Sequence, residues 1–139
     1  AYAPEPVIDA LNRIRSPFNL SGAAIAVGIA ALADRRHIER AALHNETWLP
    51  RVTAALTQLG LEVTPSVGNF VLIHFPEEPA FVAAKADEYL LAHGVILRRM
   101  EAYGFPNALR MTIGSEEANK AALAAITDFL ARKPKPRHG

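Results

Sequence analysis

The chain has 139 residues and a net charge of +1; half of its residues are hydrophobic and 21% are charged. That length supports one domain with a real core, the composition excludes a disordered chain, and the near-neutral charge gives no electrostatic case for nucleic acid or a membrane surface as partner. With no cysteine there is neither a disulfide framework nor a thiolate metal site, which fits a cytoplasmic protein, and no apolar run reaches the length of a bilayer span.

The start has no basic n-region, so no signal peptide is expected, and the opening on Ala1-Tyr2 without methionine suggests a processed or truncated piece of a longer protein. Pro4 to Arg15 reads as a short helix: a proline suits its first turn, and Val7, Ile8, Leu11 and Ile14 share one face. Ser16-Pro17 ends it, because the residue before proline is pushed out of the α region. After a linker in which Asn19 or Ser21 can cap, Ser21 to Ala33 forms an alanine-rich helix with Ile25, Ile29 and Leu32 on one face and small residues elsewhere. Its two glycines each cost about 1 kcal/mol relative to alanine, so it is expected to be buried against something larger than this chain's own core. Asp34 caps a longer helix running to Leu59, in which Asn45 is the polar exception on the apolar stripe and Pro50 predicts a kink or a boundary. His37 and His44 lie two turns apart on it, too far for a good metal pair, and read as helix-surface residues.

Gly60 stops that helix, Leu61 to Thr64 forms a short strand, and Pro65-Ser66-Val67-Gly68 turns the chain. Asn69 to Phe75 is nearly continuously apolar and reads as a central strand, with His74 a structural histidine. Pro76 to Pro79 is a loop, and Ala80 to Ala92 an amphipathic helix. Gly94 then opens a strand over Val95 to Arg98, Tyr103 to Asn107 carries turn residues, and Ala108 to Ile113 alternates. Leu109, Met111 and Ile113 face one way and Ala108, Arg110 and Thr112 the other. Ser115 caps a last helix to Ala131, with two acids in its first turn and Ala118, Ala122, Ala125, Ile126 and Phe129 on its inner stripe. Lys133 to Gly139 is a basic, proline-broken, solvated tail. The order is three helices, the third long, then β-β-α-β-β-α. This is an α/β layer structure of α+β type, its second half a small sheet with two helices on one face.

The chemically unusual residues are Arg98 and Arg110, one ending a strand and one in the middle of the next. A charge in a sheet is costly unless it is paired or has an anion to bind, and a guanidinium fork suits a carboxylate or phosphate in two-point geometry. The alternatives are that Arg110 pairs with Glu62, Glu88 or Glu101, or lies on a solvated face; structural arginines outnumber ligand-binding ones. There is no glycine-rich phosphate loop, nucleophile elbow or zinc-helix motif, and no catalytic or metal-binding constellation. Lys85, Lys120, Lys133 and Lys135 lack the apolar or cationic setting that lowers a lysine pKa for Schiff-base chemistry.

In this order the features carry a resemblance. Pro17-Phe-Asn-Leu-Ser21 precedes an alanine-rich helix, and Leu59-Gly-Leu-Glu-Val-Thr-Pro-Ser66 runs into Asn69-Phe70. Gly94-Val-Ile-Leu-Arg98 and Leu109-Arg-Met-Thr-Ile-Gly114 follow, then Glu117 and Asn119. From about Ala1 to Leu130 the sequence resembles the C-terminal portion of the fold-type I pyridoxal-phosphate-dependent aminotransferases, within them most of all the histidinol-phosphate aminotransferase branch. The resemblance implies a remnant of the large cofactor domain over 1–33, a connecting helix over 34–59, a small domain over 60–132 and the tail over 133–139. It implies that Arg110 binds the substrate carboxylate or phosphate, that Arg98, beside Arg99, is a second anion contact, and that Asn19 approaches the site from the linker. The parent enzyme would move an amino group between histidinol phosphate or an aromatic amino acid and 2-oxoglutarate, as a cytoplasmic homodimer using pyridoxal 5'-phosphate. The family's Schiff-base lysine, its aspartate for the pyridine nitrogen and its cofactor-phosphate ligands belong upstream of Ala1. The chain alone is therefore expected to hold no cofactor and to be inactive. The other readings are a stand-alone domain that binds an anionic metabolite through Arg110 and Arg98, and a module that pairs with another chain without catalysis.

Overall fold

The computed structural model describes residues 3–17 and 19–132; Phe18, the opening Ala1-Tyr2 and the basic tail lie outside the described residues. The chain divides into two compact units, Ala1–Arg40 and Ala41–Gly139.

The first unit holds helix α1 (Glu5–Ile14), helix α2 (Gly22–Ala33) and the start of helix α3 (Arg35–Gln58). Of the two candidates for the α2 cap, Ser21 takes the place, its hydroxyl accepting from the Ala24 N–H at 3.1 Å, and Asp34 caps α3 as expected, its carboxylate accepting from the His37 N–H at 2.9 Å. Neither α1 nor α2 contains a buried residue. For α2 this is unusual, because GAAIAVGIAALA presents apolar side chains on every face.

The second unit begins inside α3, which runs as one helix through Pro50 rather than ending there. Gly60, at φ +83°, closes it: the Gly60 N–H donates to the Thr57 carbonyl and the Leu61 N–H to the Leu56 carbonyl. This is the paired-bond stop that a glycine in the left-handed region permits. Strands β1 (Glu62–Thr64), β2 (Phe70–His74), β3 (Arg98–Arg99) and β4 (Ala108–Thr112) form one antiparallel sheet in the order β1-β2-β4-β3. Helix α4 (Ala83–Ala92) lies between β2 and β3 in sequence, and α5 (Glu116–Leu130) follows β4. The β-β-α-β-β-α order is the expected one, with β2 central.

One face of the sheet is core. Val71 and Ile73 of β2 and Leu109 and Met111 of β4 are buried with Ala86 and Leu90 of α4 and Ile126 and Phe129 of α5. Trp48, Val52 and Leu56 of α3 join them, so three helices, not two, line that face. The apolar run of β2 covers both sheet faces, yet only one is closed: Phe70 is 40% exposed and Leu72 and His74 are half-buried. The strand expected over Val95 to Arg98 shrinks to Arg98–Arg99. Gly94, at φ +75°, ends α4 in the same paired-bond manner, with the Val95 N–H spent on the Leu90 carbonyl. Val95 and Leu97 then pack partly buried against the core without joining the ladder.

Candidate functional site

The open face of the sheet carries the two arginines. Alternation along β4 puts Leu109 and Met111 into the core and Arg110 on the opposite face. The β3–β4 register sets Arg98 directly across from Arg110, and the β2–β4 register sets Leu72 on its other side. Thr64, Leu72, Arg110 and Arg98 thus form one cross-strand row. Side chains directly opposed in this way start roughly 5 Å apart at Cβ, and like charges so placed destabilise the pair.

No acid relieves them among the described residues. Glu101 pairs with Arg99 at 3.0 Å and Glu88 with Lys85 at 2.7 Å, and Glu62 reaches neither arginine. Each guanidinium instead lies against an aromatic ring. Arg110 Cζ is 5.3 Å from the Phe70 ring centroid, and Arg98 Cζ is 5.4 Å from that of Tyr103, to whose hydroxyl Arg98 also donates at 2.8 Å. Arg110 is half-buried, and its Nε has no hydrogen-bond partner among the described residues. The row therefore offers two stacked guanidinium groups and no counter-charge, an arrangement suited to an anion with two or more oxygens. A cavity of about 340 Å³ lies at the β3 edge of the sheet, between the 94–98 segment, the Arg110–Thr112 end of β4, and Ala118 to Ala122 of α5.

The end of β4 is braced from two directions. The buried Asn119 side chain accepts from the Gly114 N–H at 2.9 Å and donates to the Gly114 carbonyl at 3.0 Å. His44 Nε2 donates to the same carbonyl at 2.8 Å, across 70 residues. Asn45, the polar residue on the α3 stripe, donates to the Gly68 carbonyl at 3.1 Å in the turn before β2. His44 thus ties α3 to the sheet, a role that helix spacing alone does not reveal. The contributions of Phe70 and Tyr103 were likewise hidden, since strand parity and register decide which rings meet which arginines. Asn19 lies in the first unit, where its side-chain carbonyl accepts from Arg15 at 2.8 Å.

The lysines have other engagements. Lys85 is tied to Glu88 and Lys120 to Glu116, all four exposed, while Lys133 and Lys135 lie outside the described residues. Neither Lys85 nor Lys120 lies in the apolar or cationic setting that Schiff-base chemistry asks of a lysine. The residues described do not fit an aldehyde cofactor. Nor do the described residues include a group of three or more His, Asp or Glu able to hold a metal, or a helix long and apolar enough to cross a membrane.

Known proteins resemble this chain over most of its length. The model of the class I and II aminotransferase family matches residues 1–126. A histidinol-phosphate aminotransferase of Nitrobacter hamburgensis is 48% identical over 95% of this chain, and one of Maricaulis maris is 50% identical over 94%. The chain spans 36% of the length of each of these relatives. A solved structure from Burkholderia pseudomallei, a provisionally assigned aminotransferase, superposes with a TM-score of 0.79 at 28% identity. The match covers 91% of this chain and 38% of that one.

Proposed function

The chain belongs to the class I and II aminotransferases, and we propose that within a longer transaminase it supplies the pair of arginines that holds the substrate's anionic group. The observation that carries this is the acid-free alignment of Arg98 and Arg110, each guanidinium stacked and without a carboxylate partner among the described residues. In the proposed enzyme, pyridoxal phosphate supplies the electron sink for amino transfer. This chain's part is to bind and orient. Two-point contact from Arg110 to a carboxylate or phosphate fixes the substrate in register, and Arg98 adds a second positive charge on the same row.

Under this reading residues 1–33 belong to the end of the large domain, 34–59 form the helix that connects the domains, and 60–132 form the small domain. The missing N-terminal domain provides the cofactor lysine, so the 139-residue chain alone has no transaminase activity. The substrates are histidinol phosphate or an aromatic amino acid, with 2-oxoglutarate as acceptor, in a cytoplasmic homodimer. Two relatives named histidinol-phosphate aminotransferase support the first substrate.

The test is Arg110→Ala in the product of the whole gene. Loss of two charge-assisted bonds at about 1.5 kcal/mol each lowers kcat/KM roughly a hundredfold. Arg98→Ala, which removes one exposed contact, costs less. Wild-type kinetics in R110A would remove the clamp from the mechanism, and a native gene product of only 15.1 kDa would remove the longer enzyme.

A further inference from the structure

The support of Arg110 begins four residues before Leu72 of its row, at Gly68. Phe70 pairs with Thr112, two residues along β4 from Arg110, so its ring reaches the guanidinium diagonally across the β2–β4 ladder. Gly68 makes room for that ring: a Cβ built there would meet Phe70 Cε1 at 3.3 Å. The turn is tied three ways. The Ser66 hydroxyl donates to the Phe70 carbonyl at 2.7 Å, the Gly68 N–H donates to the Ser66 oxygen at 3.2 Å, and Asn45 reaches the Gly68 carbonyl from α3.

We infer that Phe70, seated on the Gly68 turn, is the positioning residue that presents the Arg110 guanidinium to its anion; this rests on the reading of Arg110 as the anion ligand. The physical reason is that Nε of Arg110 has no hydrogen-bond partner among the described residues to orient the group. The ring face attracts the planar cation and restricts its rotamers. An arginine ordered in advance loses less entropy when it forms a two-point contact. Arg98 differs, since the Tyr103 hydroxyl holds it by a hydrogen bond as well as by stacking. Phe70 is 40% exposed, so its aromatic ring is not required to fill the core.

The experiment uses the isotopically labelled product of the whole gene and follows the Arg110 Nε–H resonance while inorganic phosphate, or separately 2-oxoglutarate, is added. The wild type is expected to give a saturable shift. Phe70→Leu binds about tenfold more weakly while still unfolding cooperatively, Phe70→Tyr restores binding, and Gly68→Ala, whose methyl crowds the ring, falls between. A wild-type resonance that responds to neither anion overturns the clamp reading itself. A responding wild type matched by F70L overturns the role of Phe70 alone, and so does an F70Y chain as weak as F70L. If F70L does not fold, G68A decides, and unchanged binding there overturns the proposal.

Discussion

Asn107 joins three backbone segments with one side chain. Its Oδ1 accepts from the Ala83 N–H at 2.7 Å, and its Nδ2 donates to the carbonyls of Phe75 at 2.7 Å and Pro76 at 2.9 Å. Helix α4 has Val82 at its N-cap, which has no side-chain oxygen to offer, so Asn107 supplies the cap from 24 residues away. At about 1 kcal/mol net for each of three bonds, Asn107→Ala is expected to lose about 3 kcal/mol in a urea titration at unchanged slope. Asn107→Asp should lose at least as much, because it keeps the cap but sets a carboxylate against two carbonyls. An N107A midpoint equal to wild type would mean that these bonds contribute nothing net. The sequence marks Asn107 as a turn residue and no more. The same gap hides His44, whose partner Gly114 lies 70 residues away, and Phe70, whose face depends on register.

Elements with local punctuation were the ones open to reading from sequence. Gly60 ends α3, Ser21 starts α2 and Ser115 starts α5, where its hydroxyl accepts from the Ala118 N–H at 3.2 Å. Each is decided by chemistry within four residues. The short β3 is decided elsewhere, by the Val95 N–H closing α4 and by where β4 passes, so the apolar run before Arg98 misleads. The presence of two strand arginines was likewise visible, whereas their direct opposition belongs to the β3–β4 pairing. The first turn of α5 also makes a pH prediction. A hydrogen bond from Lys120, then its charge, holds the Glu116 carboxyl below the ordinary glutamate range, with smaller help from Arg51 and His44. A carboxyl lowered in the folded state contributes stability above the unfolded glutamate pKa and loses it as pH falls through the folded value. Lys120→Met should return the Glu116 titration toward the ordinary range when followed by carbon NMR. It should barely move the unfolding midpoint, since the pair is exposed. No change in the Glu116 titration would assign its shift to another neighbour.

At the scale of the whole molecule, α2 does not match its surroundings within the chain. It has twelve residues without a polar side chain, and Ile25, Val27, Ile29 and Leu32 are 50–78% exposed. A helix apolar on all faces belongs in a protein interior or a bilayer, and twelve residues make only about 18 Å against the roughly 30 Å of a hydrocarbon core. A protein cover is the remaining partner. The relatives are nearly three times as long as this chain, and in the proposed enzyme the rest of that length supplies the cover. Without it, contiguous apolar surface should find itself. The 139-residue chain is therefore expected to self-associate with rising concentration in sedimentation velocity. Ile25→Lys with Ile29→Lys, placed one helical turn apart on the same face, should shift it toward monomer. In the whole gene product the α2 amides should instead be among the protected ones in hydrogen exchange, and the same double substitution should be severely destabilising because it buries two unpaired charges. A chain that stays monomeric at all concentrations would mean that the apolar surface of α2 does not drive association, and the case for an external cover would then fail.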